Sequence, residues 1–392
     1  MANRKPPLVG LLFAQFSAYH IDRCAAVARR LAGRYEVVAV EVATASRTYA
    51  WDPSGEVAGA RKVTLFPRQP YEAIPVLRRF WSQYRALRQC RIVLIGIGYN
   101  EPDVIVLAWL LRLRGCAVVV MSESKFDDKP RRAGFEFAKT LLLGAYGAAI
   151  VGGRRHAEYF HFLGFRRRPV LPGYDTVGLD RIRAMAAPTL DVVAYAERNF
   201  VFVGRFVDMK NLAELVRGYA AYRQRAGPTA RRLVLVGSGP EEPRLRELIA
   251  QLNIADSIDF PGFLGPDAVA RVLAKSLALV LVSREEQWGL VVNEALAFGL
   301  PVIISPAVGS GDVLVRNLFN GFVVENGSTD GLAQAMMILS GNEKDWQRMG
   351  QASRARAWLG DTERLAVAVE LLLDPAAAGA AERIAAFRAE MA

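Results

Sequence analysis

The chain has 392 residues, of which 52% are hydrophobic and 23% are charged. This length predicts two domains of ordinary size. No apolar run reaches 18 residues without a charge, which excludes a membrane-spanning helix, and the N-terminal stretch lacks the apolar region and cleavage pattern of a signal peptide. The three cysteines, Cys24, Cys90 and Cys116, are scattered without metal-ligand spacing, so we expect a reducing, cytoplasmic location.

Positive charge is concentrated in the first half of the chain. Residues 1–188 contain 29 Lys and Arg against 15 Asp and Glu, a net charge of +14, whereas residues 189–392 contain 21 against 24, a net charge of −3. This asymmetry predicts an anionic partner for the first half: a membrane surface, a phosphorylated acceptor or a nucleic acid. Because the arginines are dispersed and no nucleic-acid-reading module is found, we expect no nucleic acid.

The first half alternates short apolar runs with helical patterns, which predicts βαβ units around a parallel sheet. We predict a helix at 22–31 after a loop at 15–20, which includes Tyr19 and His20. Ligands of such sheets bind at the carboxyl ends of the strands, so His20 is either an acceptor contact or a helix-capping residue. His156 and His161 are interpreted as packing or surface residues, and no histidine pair has metal-ligand spacing. The predicted strands are 9–13, 36–42, 61–66, 92–96, 117–121 and 148–151.

Residues 76–91 have helical periodicity with an apolar stripe of five residues among five arginines. A basic amphipathic helix with aromatic anchors can lie in a lipid headgroup region, and the alternative is a surface helix that packs this stripe into its own domain. The stripe consists of Leu77, Phe80, Trp81, Tyr84 and Leu87, and the arginines are Arg78, Arg79, Arg85, Arg88 and Arg91.

Polar residues follow the predicted strand 117–121. Ser122, Glu123 and Asp127 are acceptor-side candidates, and Glu123 or Asp127 could act on an acceptor hydroxyl. Farther along, periodicity breaks at 172–199, around Pro188, and we place the interdomain linker there. The predicted domains are 1–185 and 186–375, followed by a final helix in 376–392 after a break at 374–380.

In the second half, a strand-like run ends at Gly204 and is followed by Arg205 and Lys210. These two cations could converge on one anion, with Arg as a planar fork and Lys as a mobile point charge. A second strand leads into a glycine-rich turn that begins at Gly237, and a third leads to Phe263. The segment 308–311 is interpreted as an ordinary surface turn, with a close approach to the binding site as the alternative.

The most informative stretch is 278–305. It predicts a buried strand, a short acidic loop, a helix at 289–298 and a second buried strand. Glu286 lies in the loop and Glu294 about one and a half turns inside the helix. Gly289, Leu290 and Val291 would present free backbone N–H groups, which favour an anion at a helix N-terminus. One short stretch thus predicts an anion site with a carboxylate on either side.

The spacing of Glu286 and Glu294 around Trp-Gly-Leu-Val-Val-Asn resembles the donor-site signature of retaining, GT-B-fold glycosyltransferases of family 4 (glycosyl transferases group 1). The pattern of Arg205 and Lys210 after Gly204 is similar to that family's phosphate-binding pattern. The resemblance implies two Rossmann-like α/β domains with parallel sheets facing across a cleft, and a final helix that crosses back to the first domain. Many members have a histidine near the position of Ser122 and Glu123, and this chain departs from them there.

The resemblance also implies roles for the site residues. Arg205 and Lys210, with the amides of Gly289 and Leu290, would hold a donor diphosphate. Glu294 would bind ribose hydroxyls and Glu286 the hydroxyls of the donor sugar. The backbone near Gly204, Gly237 and Phe263 would lie against the nucleotide. With no Asp-x-Asp pattern in the chain, we expect no metal and no cofactor besides the nucleotide-sugar substrate.

The implied reaction transfers a hexose-type sugar from a nucleoside diphosphate to an acceptor hydroxyl with retention. The acceptor is either an anionic lipid-linked glycan, which predicts a peripheral position on the inner face of the cytoplasmic membrane and a role in polysaccharide or glycolipid synthesis, or a small soluble molecule. Two alternatives share the fold: a nucleotide-sugar epimerase and a non-catalytic nucleotide-sugar-binding protein.

Overall fold

The computed structural model describes residues 6–47, 55–128, 130–187, 193–374 and 378–391. The chain divides into two compact units. The first contains Met1–Phe126, Pro130–Gly178 and Thr362–Ala392, and the second contains Asp127–Lys129 and Leu179–Asp361. Pro188 and part of the predicted break at 374–380 lie outside the described residues. None of the described helices is long and apolar enough to cross a membrane.

Each unit is built on one parallel sheet, as the alternation of apolar runs predicted. The first unit has seven strands in the order β3-β2-β1-β4-β5-β6-β7, and the second has six in the order β10-β9-β8-β11-β12-β13. The strands are β1 Leu8–Phe13, β2 Glu36–Ala45, β3 Arg61–Pro70, β4 Cys90–Ile95, β5 Ala117–Ser122, β6 Ala148–Val151, β7 Val170–Pro172, β8 Phe200–Val203, β9 Leu233–Val236, β10 Ile258–Gly262, β11 Ala278–Leu281, β12 Val302–Ile304 and β13 Gly321–Val323.

Helices alternate with the strands, which gives two Rossmann-like α/β units and confirms the predicted fold class. The α-helices are α1 Ala18–Leu31, α2 Val76–Leu87, α3 Pro102–Leu113, α4 Ala133–Leu142, α5 Arg154–Phe160, α6 Leu179–Ala186, α7 Leu212–Ala226, α8 Glu242–Gln251, α9 Pro266–Lys275, α10 Leu290–Ala297, α11 Gly311–Leu314, α12 Thr329–Gly341, α13 Glu343–Arg356, α14 Thr362–Leu373 and α15 Ala380–Glu390.

The central strands are apolar runs because helices or neighbouring strands cover them on every side. In β11 and β12 every residue is buried, and β1 is buried beyond its first residue. Parallel sheets covered on both faces typically show such continuous apolar runs rather than alternation. The strands were therefore readily predicted from the sequence.

Three local predictions were wrong. Helix α1 begins at Ala18, so Tyr19 and His20 lie in its first turn and not in the preceding loop, because Ser17 and His20 form a capping pair. Helix α2 ends at Leu87, since the chain must enter β4 at Cys90. The segment predicted as an interdomain linker contains helix α6.

Residues that follow the second unit return to the first. Helix α14 packs against α1, and its Glu363 and Glu370 pair with arginines of α1. Arg30 Nε lies 2.6 Å from Glu370 Oε2, and Arg29 and Arg34 also pair with the two glutamates. These side chains are partly exposed, so packing contributes more to the stability of this contact than the ion pairs do.

Candidate functional site

The carboxyl ends of the second unit's strands meet at one edge of its sheet. Ligands of open parallel sheets bind at this edge, because the loops there are free to vary while the strands fix their positions. Here the edge is formed by the loops that follow β8, β9, β10, β11 and β12.

Lys210 and Glu286 form an ion pair at this edge, although 76 positions separate them in sequence. Ser283 Oγ donates a hydrogen bond of 3.1 Å to the same carboxylate oxygen, Oε2. Both members of the pair are mostly buried, with 16% and 13% of their side chains exposed. The pair thus fixes the position of a cation and an anion beside each other.

Backbone contacts hold these two loops together. The Arg284 amide donates to the carbonyl of Met209 over 2.8 Å, and Asn211 Nδ2 donates to the carbonyl of Val282 over 3.3 Å. Asn211 has a left-handed backbone with φ 56°, a conformation that Asn tolerates better than most residues. Lys210 and Glu286 are consequently carried on one connected scaffold.

Arg205 differs from Lys210. Its side chain is exposed and makes no hydrogen bond or ion pair with any residue that the structure describes. Lys210 pairs with Glu286, so the predicted convergence of Arg205 and Lys210 on one anion stays a prediction. Arg205 remains available to a ligand at the end of β8.

Helix α10 begins at the end of the acidic loop. Gly289 has φ 91°, which a side chain would strain, and it caps the helix. The amides of Gly289, Leu290 and Val291 donate no hydrogen bond within the described part of the chain. These three half-buried residues follow Glu286 closely, and their unbonded N–H groups at a helix start are what the sequence predicted for an anion site.

Glu294 lies inside α10 and is 8% exposed. The neighbouring Asn293 orients this helix: its Oδ1 accepts from Trp288 Nε1 over 3.0 Å, and its Nδ2 donates to the carbonyl of Gly360 over 3.1 Å. A buried carboxylate one turn inside a fixed helix has little freedom to turn to solvent. Glu294 is therefore not a solvated surface residue.

Two glycines of the edge permit backbones to touch. A Cβ at Gly237 would lie 1.9 Å from the carbonyl oxygen of Gly204, and a Cβ at Gly309 would lie 1.7 Å from that of Gln287. Neither distance is compatible with a side chain. These loops consequently accept only glycine at the two positions. One of them, Gly237, is a predicted site residue.

The segment 308–311 is not the ordinary surface turn that the sequence predicted. Val308, Gly309 and Ser310 are buried. The Gly309 amide donates to the carbonyl of Glu286 over 3.1 Å and the Ser310 amide to that of Trp288 over 2.9 Å. The loop therefore packs against the acidic loop and holds it in place through these two hydrogen bonds. In the sequence, only its glycines indicated this role.

Phe263, a predicted site residue, follows β10 and has 80% of its surface exposed.

At the corresponding edge of the first unit, His20 acts as a cap. Its Nδ1 accepts from the Ser17 amide over 3.0 Å and lies 2.9 Å from Ser17 Oγ. Burial, and secondarily the charge of Arg23, lower the pKa of His20 well below its ordinary value. The imidazole is thus neutral at pH 7, and the capping interpretation holds. Tyr19 precedes it, half-buried.

The sequence did not reveal Asp175, which follows β7 and is fully buried. Burial, followed by the charge of the neighbouring Glu123, raises the pKa of Asp175 well above its ordinary value, against the opposing effect of the buried Arg23, whose Nη2 lies 3.7 Å from Asp175 Oδ1. The carboxyl of Asp175 therefore retains its proton under conditions where a solvated Asp would be ionised. No local pattern marks Asp175, because its partner lies some fifty positions earlier.

The remaining acceptor-side candidates, Ser122 and Asp127, lie in different surroundings. Ser122 is buried and accepts from the Ser124 amide over 3.2 Å, a local loop contact. Asp127 is exposed in the short helical turn Phe126–Asp128. Among the described residues, no group of three or more His, Cys, Asp or Glu side chains has a metal-binding arrangement.

Comparison with known proteins places this geometry in a family. The family model for glycosyl transferases group 1 matches residues 194–356, which include all the site residues of the second unit. Over those residues the chain matches that family, and its two Rossmann-like units have the GT-B fold. The match covers the second unit, so the resemblance that its motifs indicated is confirmed.

Relatives of this GT-B protein share mainly that part of the chain. It is 30% identical over 162 residues to N-acetyl-alpha-D-glucosaminyl L-malate synthase of Bacillus anthracis, which is 41% of each chain. It is 32% identical over 195 residues to D-inositol 3-phosphate glycosyltransferase of Streptomyces griseus, covering 46% of this chain and 41% of the relative. The chain thus spans about two fifths of the length of these curated relatives.

Solved structures resemble the fold over nearly the whole chain. Sucrose-phosphate synthase from Thermosynechococcus elongatus matches with a TM-score of 0.68 at 20% identity, covering 94% of this chain and 98% of that one. Anabaena HepE, solved in complex with UDP and glucose, matches with a TM-score of 0.69 at 16% identity, covering 94% and 99%. At such identities the likeness concerns the fold alone.

Proposed function

We propose that this protein is a retaining glycosyltransferase that moves a hexose-type sugar from a nucleoside-diphosphate sugar to an acceptor hydroxyl without a metal. The observation that carries the proposal is the grouping at the second unit's sheet edge. The Lys210–Glu286 ion pair stands beside the free amides of 289–291, and Arg205 is unpaired within the described residues. The family and the relatives' names support this reaction class.

In this proposal, the diphosphate binds to Lys210, Arg205 and the amides of Gly289 and Leu290. Cations and fixed N–H groups stabilise the negative charge that develops on a leaving diphosphate, which is the role a metal has in other transferases. Because Lys210 already faces Glu286, an arriving phosphate would share that cation and leave Glu286 held for hydroxyl groups of the sugar.

Glu294 would accept hydrogen bonds from the ribose hydroxyls. A carboxylate can accept from two vicinal hydroxyls, and each such charged hydrogen bond contributes about 1.5–3 kcal/mol. Burial of Glu294 within α10 keeps its side chain from solvent and favours a fixed ligand geometry. The backbone around Gly237 and Phe263 would lie along the nucleotide, where main-chain contacts select the base.

Retention follows if the leaving phosphate oxygen takes the acceptor proton on the face that the diphosphate leaves, as in the family's usual account. An enzyme base is then not required at the sugar. On the acceptor side we propose that Glu123, a neighbour of Asp175, acts on the acceptor hydroxyl. We favour an anionic lipid-linked glycan as acceptor, because of the positive charge of residues 1–188, and a peripheral membrane position for the enzyme.

Thermal stability with UDP, GDP, ADP and dTDP tests the donor site. A nucleotide at about 100 times its dissociation constant adds about 2.7 kcal/mol to the free energy of unfolding. We expect one nucleotide to raise the melting temperature of the native protein and of Glu285→Ala, a control that removes the neighbouring exposed carboxylate, but not of Glu294→Ala. UDP is the first choice, since HepE was solved with it.

Product analysis then separates the alternatives. With the stabilising nucleotide's glucose conjugate and a polyprenyl-linked glycan, we expect a new glycoside with the donor's anomeric configuration. An isomerised sugar nucleotide would indicate an epimerase, and binding without any product would indicate a nucleotide-sugar-binding protein. No stabilisation by any nucleotide would refute the proposed site.

A further inference from the structure

Helices α2, α3 and α4 form one layer on the first unit. They lead from β3 to β4, from β4 to β5 and from β5 to β6, which all cross the sheet in the same direction. Right-handed crossovers place such helices on the same face. Helix α2 contacts α3, and the Trp109 ring of α3 lies 3.2 Å from a Cβ placed at Gly144, in the turn that follows α4.

Helix α4 has the reverse of the usual amphipathic arrangement. Its buried side is polar: Glu136 accepts from Tyr159 Oη over 2.6 Å and from Lys139 Nζ over 2.7 Å. Its outward side is apolar, with Phe137 67% and Leu141 60% exposed. A helix on the surface of a domain normally buries such residues. The exposed apolar side of α4 therefore indicates contact with an apolar partner rather than with water.

Helix α3 continues this surface because it is apolar on both sides. Val104, Leu107 and Leu111 are buried beneath it, while Val106, Trp109 and Leu113 are exposed above it. In α2, Phe80 and Leu87 pack into the core, as predicted for the stripe, but Leu77 and Trp81 are exposed. The predicted single stripe is therefore wrong, since its members point to two sides of the helix.

The exposed charges on the three helices are all positive. Their only carboxylates, Asp103 and Glu136, are buried, and Asp103 is paired with Arg79 at 2.8 Å. Arg85 and Arg132 are exposed and have no ion-pair partner among the described residues. Aromatic and aliphatic side chains bordered by unpaired arginines are typical of a surface that enters an anionic headgroup region.

We propose that this outer side of α2, α3 and α4, here called the helix face, docks on an anionic lipid bilayer. A second copy of the chain suits it less, because a two-fold contact would bring arginine rims of equal charge together. A docked enzyme would meet an acceptor that is itself anchored in lipid. The docking rests on the peripheral membrane position in the proposed function and gives it a surface, but it does not depend on the proposed donor site.

Sedimentation with phosphatidylcholine vesicles, with and without phosphatidylglycerol, tests the docking without any donor or turnover. We expect binding to the anionic vesicles that weakens with salt. Phe137→Ser with Leu141→Ser should lower the partition coefficient roughly tenfold or more, since two large apolar side chains lose their bilayer contact. Phe319→Ser, which removes an exposed aromatic ring from the second unit, should leave it unchanged.

Charge reversal supplies an independent arm. Arg85→Glu with Arg132→Glu should reduce binding to anionic vesicles, and Arg217→Glu, an exposed arginine of the second unit, serves as the control. Equal binding by the native protein and the helix-face variants would overturn the proposal. So would a concentration-dependent dimer that the Phe137 and Leu141 changes abolish. Nucleotide binding is measured separately, so loss of docking cannot be mistaken for loss of the donor site.

Discussion

The sheet edges of the two units differ in the charges that their side chains carry. In the second unit, Lys210 and Glu286 face each other with opposite charges, and free amides and Arg205 lie nearby. In the first unit, the edge holds a neutral His20 and the carboxyl of Asp175, whose raised pKa favours its protonated form beside Glu123 and Arg23. One edge is arranged to receive an anion, whereas burial at the other favours the uncharged forms of His20 and Asp175 next to the buried Arg23.

This difference shows what burial does to each kind of group. A cation and an anion in contact lower each other's cost of desolvation, so both remain charged. Two carboxyls in contact, or an imidazole that accepts from a backbone amide, lower the same cost by remaining neutral.

Lys210→Ala should have the largest effect, because it removes the cation and leaves Glu286 mostly buried without it. Loss of one preorganised group that stabilises a leaving charge typically costs about 10²–10³ in kcat. We expect this loss in glycoside formation, with partial recovery in Lys210→Arg. Glu285→Ala is the control, and full activity in Lys210→Ala would remove the pair from the mechanism.

Gly309→Ala should disrupt the support of the acidic loop. The new Cβ would lie 1.7 Å from the Gln287 carbonyl oxygen, so the two backbones must separate. Overpacking of this kind costs about 1–3 kcal/mol in the free energy of unfolding. Chemical denaturation measures it, and Gly341→Ala, where no atom lies within 4 Å of the new Cβ, should be close to neutral. Equal stability of the two variants would contradict the close approach.

Asp175→Asn tests the retained proton. The raised pKa of Asp175 means that the folded chain holds a proton which the unfolded chain releases above about pH 3.9, so stability should fall as pH rises from there to the raised pKa. The amide cannot ionise, and this decline should disappear in the variant. Unfolding curves at several pH values give the slope. An unchanged slope would mean that the carboxyl pair is ionised in the fold.

His20→Gln should give the smallest effect at neutral pH, because glutamine also accepts at this position of a capping pair. The lowered pKa of His20 makes the unfolded chain bind a proton first, so native stability should decrease as pH falls below about 6.5. The variant should lose that decrease while its stability at pH 7.5 changes by less than about 1 kcal/mol. A persistent decrease would indicate another titrating group.

The two kinds of contact, local and long-range, also explain which features could be predicted from the sequence. Strands such as β11 and the start of α10 follow from local residue order: an apolar run, an acidic loop, and Gly289 before a helix. The Lys210–Glu286 contact joins residues of two loops, and only the resemblance to a family suggested that they serve one site. No local pattern in the sequence predicted that Lys210 would also pair with a carboxylate.

Interactions without a local pattern were missed. Asp175 meets Glu123 because β5 and β7 are both parallel to β6, a matter of sheet order that no short window contains. Gly309 was interpreted as a turn residue, since glycine after a strand usually marks one. In α2, helical periodicity predicted that Leu77 and Trp81 pack with the core residues. Which side chains of this helix are buried depends on the packing of neighbouring helices, which no local pattern shows.

Because helix α14 completes the first unit, the order of synthesis and the order of assembly differ. The strands of the first unit leave the ribosome first, yet α14 follows only after the whole second unit has been made. At about 5–20 residues per second, this interval is roughly 10–40 s. Until then Arg29 and Arg30 of α1 lack Glu363 as a partner. The second unit, continuous except for a three-residue piece, can finish folding on the ribosome before the unit that began earlier.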